Sequence, residues 1–310
     1  MPSPTLDPVR DAFAHLSPPV VVFNKSHSGS RLLAELISAS GIFMGAHVNE
    51  SRDSLDIFEL VEALVTNYYP NYGPLWDGNA PPDTKLTALA QRNLNRHLDG
   101  FDGGRWGWKL CETTYAVPVI DYCFPGARFI HLIRDGRDVS FSDHRAPNVD
   151  FWRKVYFNTG HIRTWRGMRL TPQAYRRRPH LFNAVHWVNS VEVGRNYAAM
   201  LRERCLEVRY EDLCLRFDAT ARRVLEFIDA PDPEAAIRAV RSGVRTASVG
   251  KHRQQAARKQ RQALAITKPL LLSLGYLDAD PEPPRPSLWH SRPMDNLIDR
   301  YKKRLARRRP

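Results

Sequence analysis

The feature that most constrains this chain's fold is a short apolar run, Val20 to Phe23, which follows Pro18-Pro19 and leads through Asn24 to Gly29 into an amphipathic repeat. In the stretch Ser30-Arg-Leu-Leu-Ala-Glu-Leu-Ile-Ser38, Leu32, Leu33, Leu36 and Ile37 recur at helical spacing until Gly41. This order predicts strand, loop and helix. A strand this apolar, with no polar alternation, has both faces covered, which places it inside a parallel sheet.

The same alternation continues. Helical patterns fall at about residues 53–69 and 84–98, separated by a loop-like segment from Pro70 to Pro82 that is rich in Pro, Asn and Gly. Trp106 to Cys111 and Arg128 to Ile133 read as internal strands, Leu181 to Arg204 as a helix, Cys205 to Tyr210 as a strand and Asp218 to Phe227 as a helix. Strands alternating with helices predict an α/β fold of three layers, α/β/α, around a central parallel sheet, with one domain over residues 1–280. Five prolines between Pro281 and Pro293 predict an extended connector. A last helix then starts near Met294, with Leu297, Ile298, Tyr301 and Leu305 on one face and basic residues on the other. Such a helix suits peripheral contact with an anionic membrane or a partner, or packing against its own domain.

Of the 310 residues, 46 are Lys or Arg and 33 are Asp or Glu, a net charge of +13; six of those positive charges (Lys302, Lys303, Arg304, Arg307, Arg308 and Arg309) lie in the last ten residues. A moderately basic body suits a small anionic ligand. The four cysteines, Cys111, Cys123, Cys205 and Cys214, form no C-x-x-C pair, which speaks against a zinc site or a disulfide framework and for thiols in a reducing compartment. The N-terminal residues lack a basic start followed by an apolar stretch, so the expected location is cytoplasmic. No recognised nucleic-acid motif occurs, and no specific nucleic acid partner is expected.

Two segments carry the chemistry. In Asn24-Lys-Ser-His-Ser-Gly-Ser-Arg31, a loop between a buried strand and a helix, the N–H groups of the helix start face any docked anion. The loop lacks the second glycine and the following lysine of a Walker A motif, which disfavours ATP hydrolysis. Taken alone, its single glycine also fits a structural turn with Ser28 or Ser30 as helix cap. In Phe129-Ile-His-Leu-Ile-Arg-Asp-Gly-Arg-Asp-Val-Ser-Phe-Ser142, a strand delivers Arg134 to its end and a new helix carries Ser142 eight residues on, so that a guanidinium and a hydroxyl converge on one phosphate. A surface turn in which Arg and Asp pair is the competing reading.

Together these segments resemble the two donor-binding signatures of sulfotransferases that use 3′-phosphoadenosine 5′-phosphosulfate. The family's first loop, a basic residue followed by Ser-Gly-Thr, corresponds to His27, Ser28, Gly29 and Ser30, with Lys25, Ser26 and Arg31 beside it. Its second signature, an Arg and a Ser eight residues apart that bind the 3′-phosphate, corresponds to Arg134 and Ser142. Weaker likenesses extend from about Val20 to Leu277. Trp108-Lys-Leu-Cys-Glu112 and the following Phe124-Pro-Gly-Ala resemble the family's lysine-bearing strand and turn, and Tyr210-Glu-Asp-Leu213 its adenine-side segment. Ser248-Val-Gly-Lys-His-Arg253 resembles its late basic loop, here with Ser248, Gly250, Lys251 and Arg253, and Leu274-Gly-Tyr276 its last helix ending.

The resemblance implies a P-loop-NTPase-like sulfotransferase fold and a bacterial-type enzyme. It also implies 3′-phosphoadenosine 5′-phosphosulfate as co-substrate, no metal, and a hydroxyl or amine of a small-molecule, sugar or lipid acceptor. Lys25, His27, Arg31 and Lys109 would stabilise the leaving phosphate. The departure is His27, where the family has Lys or Arg; it is charged near neutral pH only if a bound anion raises its pKa. The general base is Glu50 or Glu112, with His47 and Asp53 in reserve. Tyr72, Trp76, Trp152, Tyr156, Trp165 and Trp187 are candidates for an acceptor pocket or for the core. An ATP-using phosphotransferase of related fold and an inactive basic binding protein for anionic membrane or nucleic acid stand as alternatives.

Overall fold

The computed structural model describes residues 6–65, 81–142 and 172–278 and the dipeptides 164–165 and 289–290. The short buried strand is at its centre. β1 (Val20–Asn24) lies between β2 (Gly107–Lys109) and β3 (Arg128–Ile133), and β5 (Cys205–Arg209) adds to the far side of β3, giving the order β2-β1-β3-β5. All three pairings are parallel, with Val20 opposite Gly107 and Arg128, and Phe129 opposite Cys205.

Every residue of β1 is buried, and its side chains alternate between two cores. Val21 and Phe23 join Phe129 and Ile133 on one face; Val20 and Val22 join Ile130 and Leu132 on the other. The chain between the strands covers both faces, as parallel crossovers require. Counting helices in chain order, α1 (Asp7–Ala12), α3 (Leu55–Ala63), α4 (Thr84–His97), α5 (Val117–Cys123) and the long α8 (Pro179–Leu201) serve the first core. Trp187 and Val188 of α8 are buried there. On the opposite face lie α2 (Ser30–Ala39), α10 (Phe217–Phe227) and α11 (Pro233–Val240), with Leu33, Leu36 and Ile37 of α2 fully buried. Burial of side chains of this size stabilises by about 1.5–3 kcal/mol each.

This is the three-layer α/β/α arrangement, and the predicted element centres hold. Differences lie at boundaries and in short helices. α6 (Gly136–Ser140) stops before Ser142, which sits just past its end rather than on it. α7 (Pro172–Arg177), α9 (Tyr210–Leu215), α11 and most of α12 (Ala257–Ser273) are helices that the apolar periodicity did not mark. Within the proline-rich connector, Trp289-His290 (β6) pairs antiparallel with Thr164-Trp165 (β4). Residues 291–310, including the expected basic helix, lie outside the described residues, as do Tyr72, Trp76, Trp152 and Tyr156. Among the described residues no helix is long and apolar enough to cross a membrane. All four cysteines are free thiols.

Candidate active site

β1, β2 and β3 end along one edge of the sheet, and each delivers a basic residue there: Lys25, Lys109 and Arg134. All three side chains are buried, at 2%, 2% and 5% exposure. Three cations withdrawn from water at one sheet edge are costly without an anion to receive them, and in open α/β sheets ligands bind at this carboxyl edge.

The loop after β1 turns through two left-handed residues, His27 (φ 67°) and Gly29 (φ 82°). Gly29 is the N-cap of α2, and no side chain caps the helix start. Ser28 and Ser30, expected as possible caps, are buried without capping; Ser28 Oγ has no hydrogen-bond partner among the described residues. Lys25 Nζ donates to the carbonyl and the hydroxyl of Ser26, each at 2.9 Å. Burial lowers the Lys25 pKa to about 7, with Cys111 and Glu112 opposing the shift. His27 is pushed to about 4 by burial and by the neighbouring charges of Lys25, Lys251 and Arg134. Its imidazole is therefore neutral without an anion, and Lys25 is the loop's buried cation. Arg31 turns outward, 64% exposed and paired with Glu35 at 2.9 Å.

Lys109 Nζ is held by Asp53 at 2.7 Å and by the Ser51 carbonyl at 2.8 Å. Three residues on, Glu112 lies in the first turn of a 3-10 helix (Cys111–Tyr115). Burial raises its carboxyl to about 7, and the nearby Asp53 charge adds to the rise while Lys109 and Lys25 oppose it. Glu50 is exposed on the loop before Asp53. His47 pairs with Asp56 at 2.8 Å.

Arg134 ties the two predicted motifs together. One guanidinium nitrogen donates to the His27 carbonyl at 3.3 Å and another to the Ser248 carbonyl, while Nε is buried without a partner among the described residues. Its guanidinium lies 4.5 Å over the Tyr210 ring, and the Cδ2–Cε2 edge of this ring packs against Gly29. Lys251 Nζ donates to Ser142 Oγ at 3.1 Å, so the late loop meets the second motif. Arg253 is exposed, its guanidinium near Gly250.

Asp138, His252 and Asn183, to which the sequence reading assigned no role, organise this corner with Trp187. Asp138, midway between Arg134 and Ser142, accepts from the Gly250 and His252 N–H groups at 2.7 and 2.9 Å and pairs with His252 Nδ1 at 2.6 Å. Asn183 donates to the carbonyls of Ser140 and Ser142 at 3.3 and 3.2 Å. Trp187 is core rather than pocket, its indole N–H on the Arg134 carbonyl at 2.9 Å. The i+4 and i−4 spacing of Asp138 from Arg134 and Ser142 was a signal available in the sequence.

Thus Lys25, Ser26, His27, Ser28, Gly29 and Ser30 share one corner with Arg134, Ser142, Tyr210, Ser248, Gly250 and Lys251. Lys109 and Glu112 stand beside Lys25, whereas Arg31, Glu50 and Arg253 sit on the exposed rim. A parallel sheet with an uncapped glycine-bearing loop and converging buried basic residues defines an α/β fold with an anion-binding edge.

Residues 19–234 match the model of the sulfotransferase family, more than two thirds of the chain. The chain belongs to that family and is a transferase of sulfuryl groups. Similar solved structures include sulfotransferase STF9 from Mycobacterium avium, at 15% identity and TM-score 0.47 over 88% of this chain and 82% of that one. Sulfotransferase STF1 from Mycobacterium tuberculosis H37Rv gives 12% identity and TM-score 0.48, covering 83% of this chain and 81% of that one. No curated protein matches the sequence.

Proposed function

We propose that the chain transfers the sulfuryl group of 3′-phosphoadenosine 5′-phosphosulfate to a hydroxyl or amine of a small-molecule, sugar or lipid acceptor. The single observation that carries this reading is the Arg134 guanidinium, buried between the first loop and the late loop and bonded to a carbonyl of each. Two anion-type devices thereby form one site that suits a nucleotide with an anion at each end. The orphaned Ser28 Oγ and Arg134 Nε fit the same donor, since each is a buried hydrogen-bond donor awaiting an acceptor.

The donor supplies the activated sulfuryl group; the chain supplies orientation and charge. The Ser28-Gly29-Ser30 turn and the α2 start would hold the 5′ end, and Arg134, Ser142 and Lys251 the 3′-phosphate. Tyr210 and the Ser248–Arg253 loop would flank the nucleotide. Lys25, with His27 and Lys109, would meet the negative charge that grows on the leaving phosphate. Glu112 would take the acceptor proton, because a carboxyl near pKa 7 beside the loop is a better-matched base than exposed Glu50.

Thermal shift with adenosine 3′,5′-bisphosphate beside AMP and ATP tests the donor assignment, since only ligands that bind the folded state raise the melting temperature. The expected result is selective stabilisation by the bisphosphate, diminished in Arg134→Ala and Ser142→Ala. Equal responses to all three nucleotides would remove the reading.

A further inference from the structure

We infer that Asp138 is a positioning residue that latches the Ser248–Arg253 loop over the 3′-phosphate side of the donor site, a role that rests on the donor reading above. Several contacts hold this loop, among them one from Gln260 to the Arg253 carbonyl. Arg134 donates to Ser248, Lys251 donates to Ser142, and Asp138 accepts from Gly250 and His252. The Arg134 and Lys251 contacts use groups assigned to the phosphate itself. A bound phosphate would draw the guanidinium, the ammonium and the Ser142 hydroxyl onto its own oxygens, leaving Asp138 to hold Gly250 and His252, with Gln260 on the Arg253 carbonyl behind them.

The carboxylate is built for that task. It is fully buried, and although burial alone would raise its pKa, the hydrogen bonds from the His252 side chain and from the His252 and Gly250 backbone hold it below the ordinary range. It is therefore ionised and can only accept, so the short contact at 2.6 Å puts the proton on His252 Nδ1. Gly250, left-handed at φ 76°, turns its N–H onto the other carboxylate oxygen.

An anionic side chain 3.8 Å from Arg134 repels any phosphate bound there. It also offsets the buried charge of Arg134, but at 3.8 Å that pairing is long, and its short contacts all go to the loop. Asp138 thus acts through Lys251, fixing the ammonium beside Ser142 without touching the donor.

The test is calorimetric titration of the full chain with adenosine 3′,5′-bisphosphate and with AMP, which lacks the 3′-phosphate. In Asp138→Asn, one acceptor oxygen becomes an amide that cannot receive the Gly250 or His252 N–H. Loss of a buried charged hydrogen bond predicts roughly a tenfold to hundredfold weaker bisphosphate affinity. AMP affinity should stay unchanged, so that the preference for the bisphosphate collapses; a general structural defect would weaken both ligands alike. His252→Ala, which removes the side-chain half of the latch, should show a smaller loss of the same kind and decides the matter if Asp138→Asn does not fold. A retained preference in the folded variants overturns the latch while leaving the donor assignment intact. Absence of a preference in the unaltered chain overturns both.

Discussion

A Cβ on Gly29 would lie 2.2 Å from Cε2 of Tyr210, inside the tyrosine ring's own contact surface. The glycine also sits at φ 82°, where an L side chain is strained. Gly29→Ala therefore carries two penalties at once, a backbone cost of about 1–3 kcal/mol and a displaced tyrosine. The expected outcome is a lower melting temperature together with loss of bisphosphate binding. Pairing it with Tyr210→Leu should recover part of the stability but not the binding, which differential scanning fluorimetry with and without ligand would show.

Arg134 uses the geometry of its guanidinium, with separate nitrogens on the His27 and Ser248 carbonyls and a flat face over Tyr210. A lysine ammonium keeps the charge but cannot span these partners. Arg134→Lys should lower bisphosphate affinity roughly tenfold to hundredfold, with a smaller effect on AMP. Equal affinities in Arg134→Lys and the unaltered chain would show that charge alone suffices.

The pH dependence follows from two groups of opposite sign. Glu112 must be ionised to act as base, and its pKa of about 7 makes kcat/KM fall as the pH drops through that value. Lys25 must be protonated to meet the leaving phosphate, and its pKa, also about 7 without donor, makes kcat/KM fall as the pH rises through it. A narrow bell centred near pH 7 is expected. In kcat, measured with donor saturating, the alkaline limb should move upward because a bound anion favours the charged amine. Glu112→Gln should erase the acid limb and lower kcat about 100- to 10,000-fold. A persisting acid limb in that variant would return the role of base to Glu50.

Much of the fold was legible because its signals are local. The β-branched run of β1 and the helical spacing of α2 lie within twenty residues of each other, and the two motif loops are defined by their own glycine, arginine and serine. What escaped is what depends on partners distant in sequence. α9 starts with Tyr210, whose ring is set by Gly29 and Arg134; no periodicity announces it. Asp138 looked like one acidic residue in a basic turn, and its meaning comes from Gly250 and His252, more than a hundred residues away. The charge state of Lys25 was the other gap, whereas that of His27 was foreseen from its ordinary pKa. The depressed Lys25 follows from burial of its amine, and the low pKa of His27 from burial beside Lys25, Lys251 and Arg134, which composition cannot express. Trp187, read from the sequence as pocket or core, is core, packed on Gly136 with its indole N–H on the Arg134 carbonyl.

Lys25 also makes stability and function compete. Its ammonium is buried at 2% exposure, and its folded pKa of about 7 lies well below the ordinary 10.5. Between these values the unfolded chain binds the proton and the folded chain does not, so the lysine destabilises the fold. That penalty is at its full size below pH 7 and shrinks as the pH rises from 7 toward 10.5. Lys25→Met keeps the side-chain length and removes the charge. It should raise the melting temperature, by about 2–4 °C for each kcal/mol regained in a domain of this size. The rise should be larger at pH 6.5 than at pH 9. The same variant should lose most sulfuryl transfer, because no charge would then meet the leaving phosphate from within the loop. A melting temperature that falls instead, at both pH values, would mean that the hydrogen bonds from Nζ to Ser26 outweigh the cost of burying the amine.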